Sequence, residues 1–168
     1  MKATIFVIGS LMGADTYKDT GIKIYPHFSV ENAEEMVESG VIQIGSHTFD
    51  MHQSEELERN SGILKPNMLR PAGMPEEDYI RMVKDDLDKF GELYKNIENR
   101  QVTLLAYPYG LYDQELTALL HESGIRGTFT TEPGISTIIK GLPQTLMNLK
   151  RISINEDTDI EAVLGSLP

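Results

Sequence analysis

The sequence predicts an α/β fold in which helices lie outside a parallel sheet. Short apolar runs alternate with helix-like segments along the chain, which is typical of β-α-β units. The apolar runs are continuous and rich in β-branched and aromatic residues, as expected for strands buried on both faces. The segments follow one another too closely for two domains, so residues 1–168 are predicted to form a single domain. Either an open α/β sheet or a β/α barrel fits this pattern.

Five apolar runs are predicted as strands. The first, from Ala3 to Gly9, follows one lysine and lacks the small-residue cleavage site of a signal peptide, so a buried strand is the better interpretation. The other strands are predicted at residues 41–45, 102–106, 127–131 and 149–154. Residues 46–74 contain prolines and glycines that interrupt regular structure, which predicts a long loop or short helices.

Helices are predicted between these strands. Ser29 can cap a helix that runs through Ser39. The strongest periodic signal is a long helix that begins at Pro75. Its apolar residues recur every three or four positions and predict one face packed on the core: Ile80, Val83, Leu87, Phe90, Tyr94 and Ile97. Shorter helices are predicted at residues 113–123 and 159–164.

The composition excludes several classes of function. The formal net charge is −11, which argues against nucleic acid and against anionic membrane surfaces as partners. No apolar run approaches the ~20 residues of a membrane span. The chain has no cysteine, so disulfides, thiolate metal sites and cysteine nucleophiles are excluded. A neutral substrate such as a sugar polymer is compatible with this charge.

Candidate functional residues follow the predicted strands, because α/β sites lie at the carboxyl ends of parallel strands. The second strand opens into Ser46–His52, and the third into Tyr107–Gly110. His47 and His52 are five residues apart, so they would lie on different faces of a helix but can converge in a loop. Two neutral imidazoles suit zinc, and cobalt or nickel as alternatives.

The histidine segment resembles a known motif. Ile44–His52 is similar to the histidine motif of the polysaccharide deacetylase family (NodB homology, carbohydrate esterase 4), in the His-Thr-aromatic-Asp-x-His form of poly-N-acetylglucosamine deacetylase-like members. Four further segments resemble family segments in the same order: Lys2–Ser10, Ala106–Gly110, Gly124–Gly134 and Leu149–Ile152.

The resemblance implies a distorted β/α barrel and a secreted or cell-envelope location. It also implies a divalent metal ion bound by one aspartate and by His47 and His52, and zinc is the expected ion. The metal would polarise the acetamide of an N-acetylated polysaccharide, and a second aspartate would deprotonate the attacking water. The backbone N–H of Tyr109 would stabilise the oxyanion, and Tyr107, Pro108 and Tyr109 would contact the substrate. Thr48 would orient a ligand.

The sequence also departs from the family pattern. Both family aspartates precede the strand that resembles Lys2–Ser10, so we expect this chain to lack them together with the first strand and helix of the barrel. The chain would then be a fragment, or a degenerate member, or it would use another carboxylate. The candidates nearest in sequence are Asp50, Asp15 and Asp19. Asp50, between the two histidines, is the catalytic candidate among them, with a loop-capping role as the alternative. Ala106 stands where many members carry an arginine. Members also usually carry a general-acid histidine near the C-terminal end, but no histidine follows Gly127 in this sequence.

Two functions therefore remain open. The first is metal-dependent hydrolysis of the N-acetyl amide of a polysaccharide that contains N-acetylglucosamine, impaired in this chain. The alternative is a non-catalytic remnant of the same fold that binds carbohydrate or metal. An unrelated α/β protein is a third and weaker interpretation. His121 is interpreted as a surface residue, and His27, which precedes a helix, is not assigned to the site. A sheet edge exposed by the missing strand predicts pairing with a second copy of the chain, exchange of an element with that copy, or re-closure of the sheet.

Overall fold

A computed structural model describes residues 2–52 and 67–165, and these residues form an α/β fold, as predicted. Within them lies a sheet of five parallel strands. The strands are β1 Ala3–Val7, β2 Ile42–Ser46, β3 Leu104–Ala106, β4 Gly127–Pro133 and β5 Leu149–Arg151. The predicted loop at 46–74 falls partly on residues 53–66, which lie outside the described residues.

The α-helices begin where the sequence provides capping groups. They are α1 Val30–Glu38, α2 Glu76–Lys95, α3 Gln114–Glu122 and α4 Ile160–Gly165. Ser29 and Asn32 form a reciprocal capping box at α1, and the Asp113 carboxylate accepts a hydrogen bond from the Leu116 N–H at α3. Short 3-10 helices lie at Gly9–Leu11, Lys18–Thr20, Pro108–Gly110 and Pro143–Leu146.

The order of the strands favours a barrel wall over an open doubly wound sheet. Each strand pairs with its neighbour in sequence, in the order β1-β2-β3-β4-β5. Because parallel crossovers are almost always right-handed, this order places the connecting helices on one face. Val7, Ile44 and Leu105 belong to the apolar clusters that pack under the helices.

The opposite face of the sheet is concave. The rings of Phe6 on β1 and Phe129 on β4 lie 5.1 Å apart between centroids, although β2 and β3 separate their strands. In a flat sheet those two strands would be about 14 Å apart. Gly45 makes room for this contact, because a Cβ at that position would lie 2.6 Å from the Phe6 ring. The sheet is therefore curved as in a segment of a β/α barrel.

The long helix α2 joins two parts of the core. Its first half packs Tyr79 and Val83 into a cluster with Leu105, and its second half packs Phe90 and Tyr94 into a cluster with Ile44. The predicted apolar face of this helix is confirmed: Val83, Phe90, Tyr94 and Ile97 are buried, and Ile80 and Leu87 are partly buried. No helix in the described ranges is both long and apolar enough to cross a membrane.

The two edges of the described sheet are β1 and β5. Pairing of an edge with a second copy of the chain stays a prediction.

Candidate metal centre

The histidine loop, residues 47–52, leaves β2 and remains attached to the segment that follows β1. The His47 N–H donates to the Val7 carbonyl at 2.8 Å, and the Gly9 and Ser10 N–H groups donate to the carbonyls of residues 48 and 49 at 3.0 and 2.8 Å. A Cβ at Gly9 would lie 2.7 Å from the Phe49 ring and 3.3 Å from its Cα. Glycine at this position therefore allows the loop to approach the strand.

Thr48 shapes the loop between the two histidines. Its φ is +71°, in the left-handed region that residues other than glycine rarely adopt. The Thr48 N–H donates to Ser46 Oγ at 3.0 Å, and Thr48 Oγ1 accepts from the Met51 N–H at 3.1 Å. Thr48 is completely buried, so it supports the loop from within.

His47 is oriented by a hydrogen bond from its ring. Nδ1 lies 2.7 Å from the Ala106 carbonyl oxygen at the end of β3. Because a carbonyl can only accept, Nδ1 carries the hydrogen and Nε2 carries the lone pair. Burial lowers the pKa of His47, and the positive charge of Arg151 lowers this pKa further, against the opposing effect of the Ala106 hydrogen bond. The ring therefore tends to stay neutral, which is the form that binds a metal ion.

His52 and Tyr109 lie beside His47 at the carboxyl ends of the strands. The ring centroids of His47 and His52 are 4.9 Å apart, and those of His52 and Tyr109 are 4.6 Å apart. Tyr109 is 53% exposed, so one side of this row of rings faces solvent. The two histidines are five residues apart, and their rings come together because both residues lie in a loop and not on a helix.

The turn after β3 places Tyr109 beside His52. Tyr109 and Gly110 both have positive φ, 56° and 72°. A Cβ at Gly110 would collide with Thr131 Oγ1 and lie 2.8 Å from the Thr131 N. The turn is thereby packed against β4 in a conformation that demands glycine at position 110.

Tyr107 and Pro108 support this turn from the core. Tyr107 is only 2% exposed, and its hydroxyl donates to Asn148 Oδ1 at 2.8 Å. Its ring stacks on that of Tyr112, with centroids 5.2 Å apart. Pro108 is buried at the start of the 3-10 helix. The side chain of Tyr107 therefore faces the core, and Tyr109 is the exposed member of the motif.

The three candidate carboxylates nearest in sequence have different surroundings. Asp50 Oδ1 accepts from Ser10 Oγ at 3.1 Å and lies 3.2 Å from Lys18 Nζ. Asp15 forms an exposed ion pair with Lys23 at 2.6 Å, and Asp19 is exposed. Among residues 2–52 and 67–165, no group of three or more His, Cys, Asp or Glu side chains is arranged to hold a metal ion.

The remaining histidines lie outside this site. His27 is exposed in the segment before α1, and His121 lies in the last turn of α3.

Asp86 on α2 supports the histidine loop and was not predicted. Its two carboxylate oxygens accept from the N–H groups of Phe49 and Asp50, both at 2.8 Å. Burial raises the pKa of Asp86, and the two N–H donors act in the opposite direction. A signal was present in the sequence: Asp86 lies three residues after Val83 and four before Phe90, on the apolar face of the helix.

The donor set fits part of a zinc site. Two neutral imidazoles lie close together, and the ring of one is fixed by a carbonyl, as is usual for metal-bound histidines. A catalytic zinc ion commonly has three protein ligands, of which His47 and His52 would supply two.

Comparison with known proteins identifies the family. The family model described as Polysaccharide deacetylase matches residues 1–128. The Bacillus subtilis (strain 168) protein named "Putative polysaccharide deacetylase YxkH" is 30% identical over 142 residues, covering 84% of this chain and 39% of YxkH. The poly-beta-1,6-N-acetyl-D-glucosamine N-deacetylase of Staphylococcus aureus (strain MRSA252) is 27% identical over 133 residues, covering 79% of this chain and 39% of that protein.

A solved structure supports the fold. IcaB from Ammonifex degensii superposes with a TM-score of 0.67 at 23% identity, covering 92% of this chain and 57% of that one. The chain spans about two fifths of the length of the curated relatives it matches. The resemblance based on the histidine motif is thereby confirmed at the level of the family. The chain belongs to the polysaccharide deacetylase family.

Proposed function

We propose that this chain provides the histidine side of a metal-dependent site that removes N-acetyl groups from a polysaccharide containing N-acetylglucosamine. The observation that carries the proposal is the pairing of His47 and His52, with the His47 Nδ1 bound to the Ala106 carbonyl at 2.7 Å and the two rings 4.9 Å apart. This arrangement leaves Nε2 of His47 as the ligand atom.

The roles of the other residues are those that the resemblance to the family implies. A bound divalent metal, zinc first and cobalt or nickel as alternatives, would polarise the acetamide carbonyl and activate a water molecule. His47 and His52 would hold the ion. The Tyr109 backbone N–H donates to the carbonyl oxygen as negative charge develops on it. The exposed Tyr109 ring provides an apolar surface for a sugar ring, while Tyr107 and Pro108 hold the turn.

The reaction is hydrolysis of an amide. The water oxygen bonds to the acetyl carbon, the carbon–nitrogen bond breaks, and the products are acetate and a sugar amine that takes up a proton. Within the part of the chain that the structure describes, no carboxylate is assigned as the base. The proposed substrate class is supported by the Staphylococcus aureus relative, because the name of that protein specifies poly-beta-1,6-N-acetyl-D-glucosamine. The net charge of −11 suits a neutral polymer.

A second candidate function is binding of carbohydrate or metal without catalysis. It is favoured by the absence, among the described residues, of a cluster of three metal-ligating side chains.

Acetate release distinguishes the two candidates. Zinc-loaded protein is incubated with oligomers of β-1,6-linked and of β-1,4-linked N-acetylglucosamine, and acetate is measured. Release by the wild type and by the His121→Ala control, but not by His47→Ala, supports the deacetylase. Zinc binding that depends on His47 without any acetate release supports the second candidate. Equal zinc content in wild type and His47→Ala contradicts the metal site, on which the deacetylase and the metal-binding form of the second candidate both depend.

A further inference from the structure

The backbone of the histidine loop is contacted by buried charged side chains on two sides. We infer that Asp86 and Lys18 are positioning residues that hold this loop in its metal-binding shape. Asp86 binds the backbone N–H groups of the loop, and Lys18 binds the backbone carbonyl groups of the loop. The inference rests on the proposed function, because it assigns a purpose to the shape of the metal-binding loop.

Asp86 binds the amide side of the loop. Its carboxylate reaches out from α2 and accepts from two successive N–H groups, those of Phe49 and Asp50, each at 2.8 Å. Asp86 is only 6% exposed. A buried carboxylate is costly unless donors surround it, and an unpaired buried N–H is costly as well, so each satisfies the other. Both oxygens are committed to the loop, so Asp86 acts through the loop and not on the metal.

Lys18 binds the carbonyl side of the loop. Its ammonium group donates to the carbonyl oxygen of His52 at 2.8 Å and to that of Asp50 at 3.3 Å. It also lies 3.2 Å from Asp50 Oδ1, and its side chain is 2% exposed. The neighbouring Tyr17 hydroxyl donates to the same His52 carbonyl at 2.9 Å.

The backbone of Lys18 indicates that this contact is specifically maintained. Its φ is +46°, in the left-handed region that costs a non-glycine residue of order 1 kcal/mol or more. Such a conformation persists only where the surrounding contacts stabilise it. Here the contacts that accompany it are those of the buried ammonium group with the histidine loop.

The two contacts are complementary in charge. An anion meets the positive ends of amide dipoles, and a cation meets the negative ends of carbonyl dipoles, within the four residues Phe49–His52. Residues 49–52 belong to no helix or strand. Fixing the His52 carbonyl limits the directions that its ring can take relative to His47. A loop that is ordered before the metal arrives loses less conformational entropy on binding.

The test uses side-chain truncations with matched controls. Asp86→Ala is compared with Asp85→Ala, because Asp85 is the exposed neighbour on the same helix. Lys18→Met is compared with Lys23→Met, because the Lys23 side chain is 73% exposed. Zinc affinity is measured by competition with a chromophoric chelator, and cobalt absorption reports the geometry of the ligands. Amide hydrogen exchange at Phe49 and Asp50 is measured in metal-free protein.

The expected result is a weaker zinc affinity, by about 10- to 100-fold, in Asp86→Ala and Lys18→Met, with both controls unchanged. The amides of Phe49 and Asp50 should exchange faster in metal-free Asp86→Ala. Asp86→Asn should recover part of the affinity, because one amide oxygen can still accept one N–H. If Asp86→Ala does not fold, Asp86→Asn and Lys18→Met decide the question.

Two failures are distinguishable. Folded variants that bind zinc with wild-type affinity and exchange these amides at the wild-type rate overturn the positioning role while the zinc site stands. If His47→Ala binds zinc as the wild type does, the proposed function fails. The exchange rates of the metal-free proteins then still show whether Asp86 orders the loop.

Discussion

The histidine loop and the region after β4 differ sharply in how they are packed. Buried charges and backbone hydrogen bonds surround the loop, whereas none of residues 134–165 is buried. Several large apolar side chains in the later region are between 41% and 61% exposed: Ile135, Ile138, Ile139, Leu142, Ile152, Ile154, Ile160 and Leu164. Residues of similar hydrophobicity therefore contribute very differently to stability. The candidate metal centre depends on the well-packed part of the chain.

The largest expected effect compares two leucines, one from each region. Leu105 on β3 is completely buried, and Leu164 on α4 is 61% exposed. Leu105→Ala should lower the free energy of unfolding by about 3 kcal/mol, since it removes buried methyl groups and leaves a cavity. Leu164→Ala should lower it by less than ~0.5 kcal/mol. Urea unfolding followed by circular dichroism measures both, and equal losses would contradict the comparison.

The next effect compares two glycines of equal φ. Gly110 and Gly21 both have φ of 72°, but a side chain at Gly110 would meet Thr131, whereas nothing lies within 4 Å of a Cβ at Gly21. Gly21→Ala should cost about 1 kcal/mol for the backbone conformation alone. Gly110→Ala should cost about 2 kcal/mol more, because the turn that carries Tyr109 must also move. Chemical denaturation measures the difference, and similar losses would show that the turn yields freely.

A smaller effect compares two helix caps. Asp113 accepts from the Leu116 N–H at 2.8 Å, and Asp159 accepts from the Ala162 N–H at 3.0 Å. Asp113→Ala should cost about 1 kcal/mol, because α3 packs Leu116, Leu119 and Leu120 into the core. Asp159→Ala should leave the global unfolding transition unchanged, because α4 buries no residue. A shift of that transition in Asp159→Ala would show that α4 is coupled to the core.

The smallest effect is on pH dependence. Burial holds the pKa of His47 below the ordinary value of about 6.5. Between the lowered pKa of His47 in the folded state and its ordinary pKa in the unfolded state, the folded protein binds fewer protons than the unfolded protein. The free energy of unfolding of metal-free protein should fall as the pH drops below about 6.5 and level off beneath the folded pKa. His47→Gln should lack this part of the fall, and identical pH profiles would refute the assignment.

Local signals predicted most of the regular structure. Ser29 and Pro75 mark the starts of α1 and α2, because a capping side chain and a residue with fixed φ act on their immediate neighbours. Strand bounds were less accurate: the run predicted at 149–154 is a strand only at Leu149–Arg151. Strand pairing there depends on β4, and it is irregular: Phe129 pairs with Leu149 and Pro133 with Arg151, with a register shift between the two pairs.

The candidate site was predictable in part. The motif indicated His47 and His52, because both lie in one short segment after a strand. The curvature shown by Phe6 and Phe129 and the burial of Lys18 required long-range packing that periodicity does not encode. Asp86 could have been noticed as an acid on an apolar helix face, but its partners, two backbone amides of a distant loop, leave no trace in sequence.

The central claim is that His47 and His52 bind one metal ion together. X-ray absorption of zinc-loaded protein tests it most directly, because imidazole ligands give characteristic multiple scattering beyond a Zn–N distance of about 2.0–2.1 Å. We expect scattering from two imidazoles in the wild type and in His121→Ala, and from one imidazole at most in His47→Ala. A zinc spectrum without imidazole scattering, or one unchanged in His47→Ala, would contradict the claim.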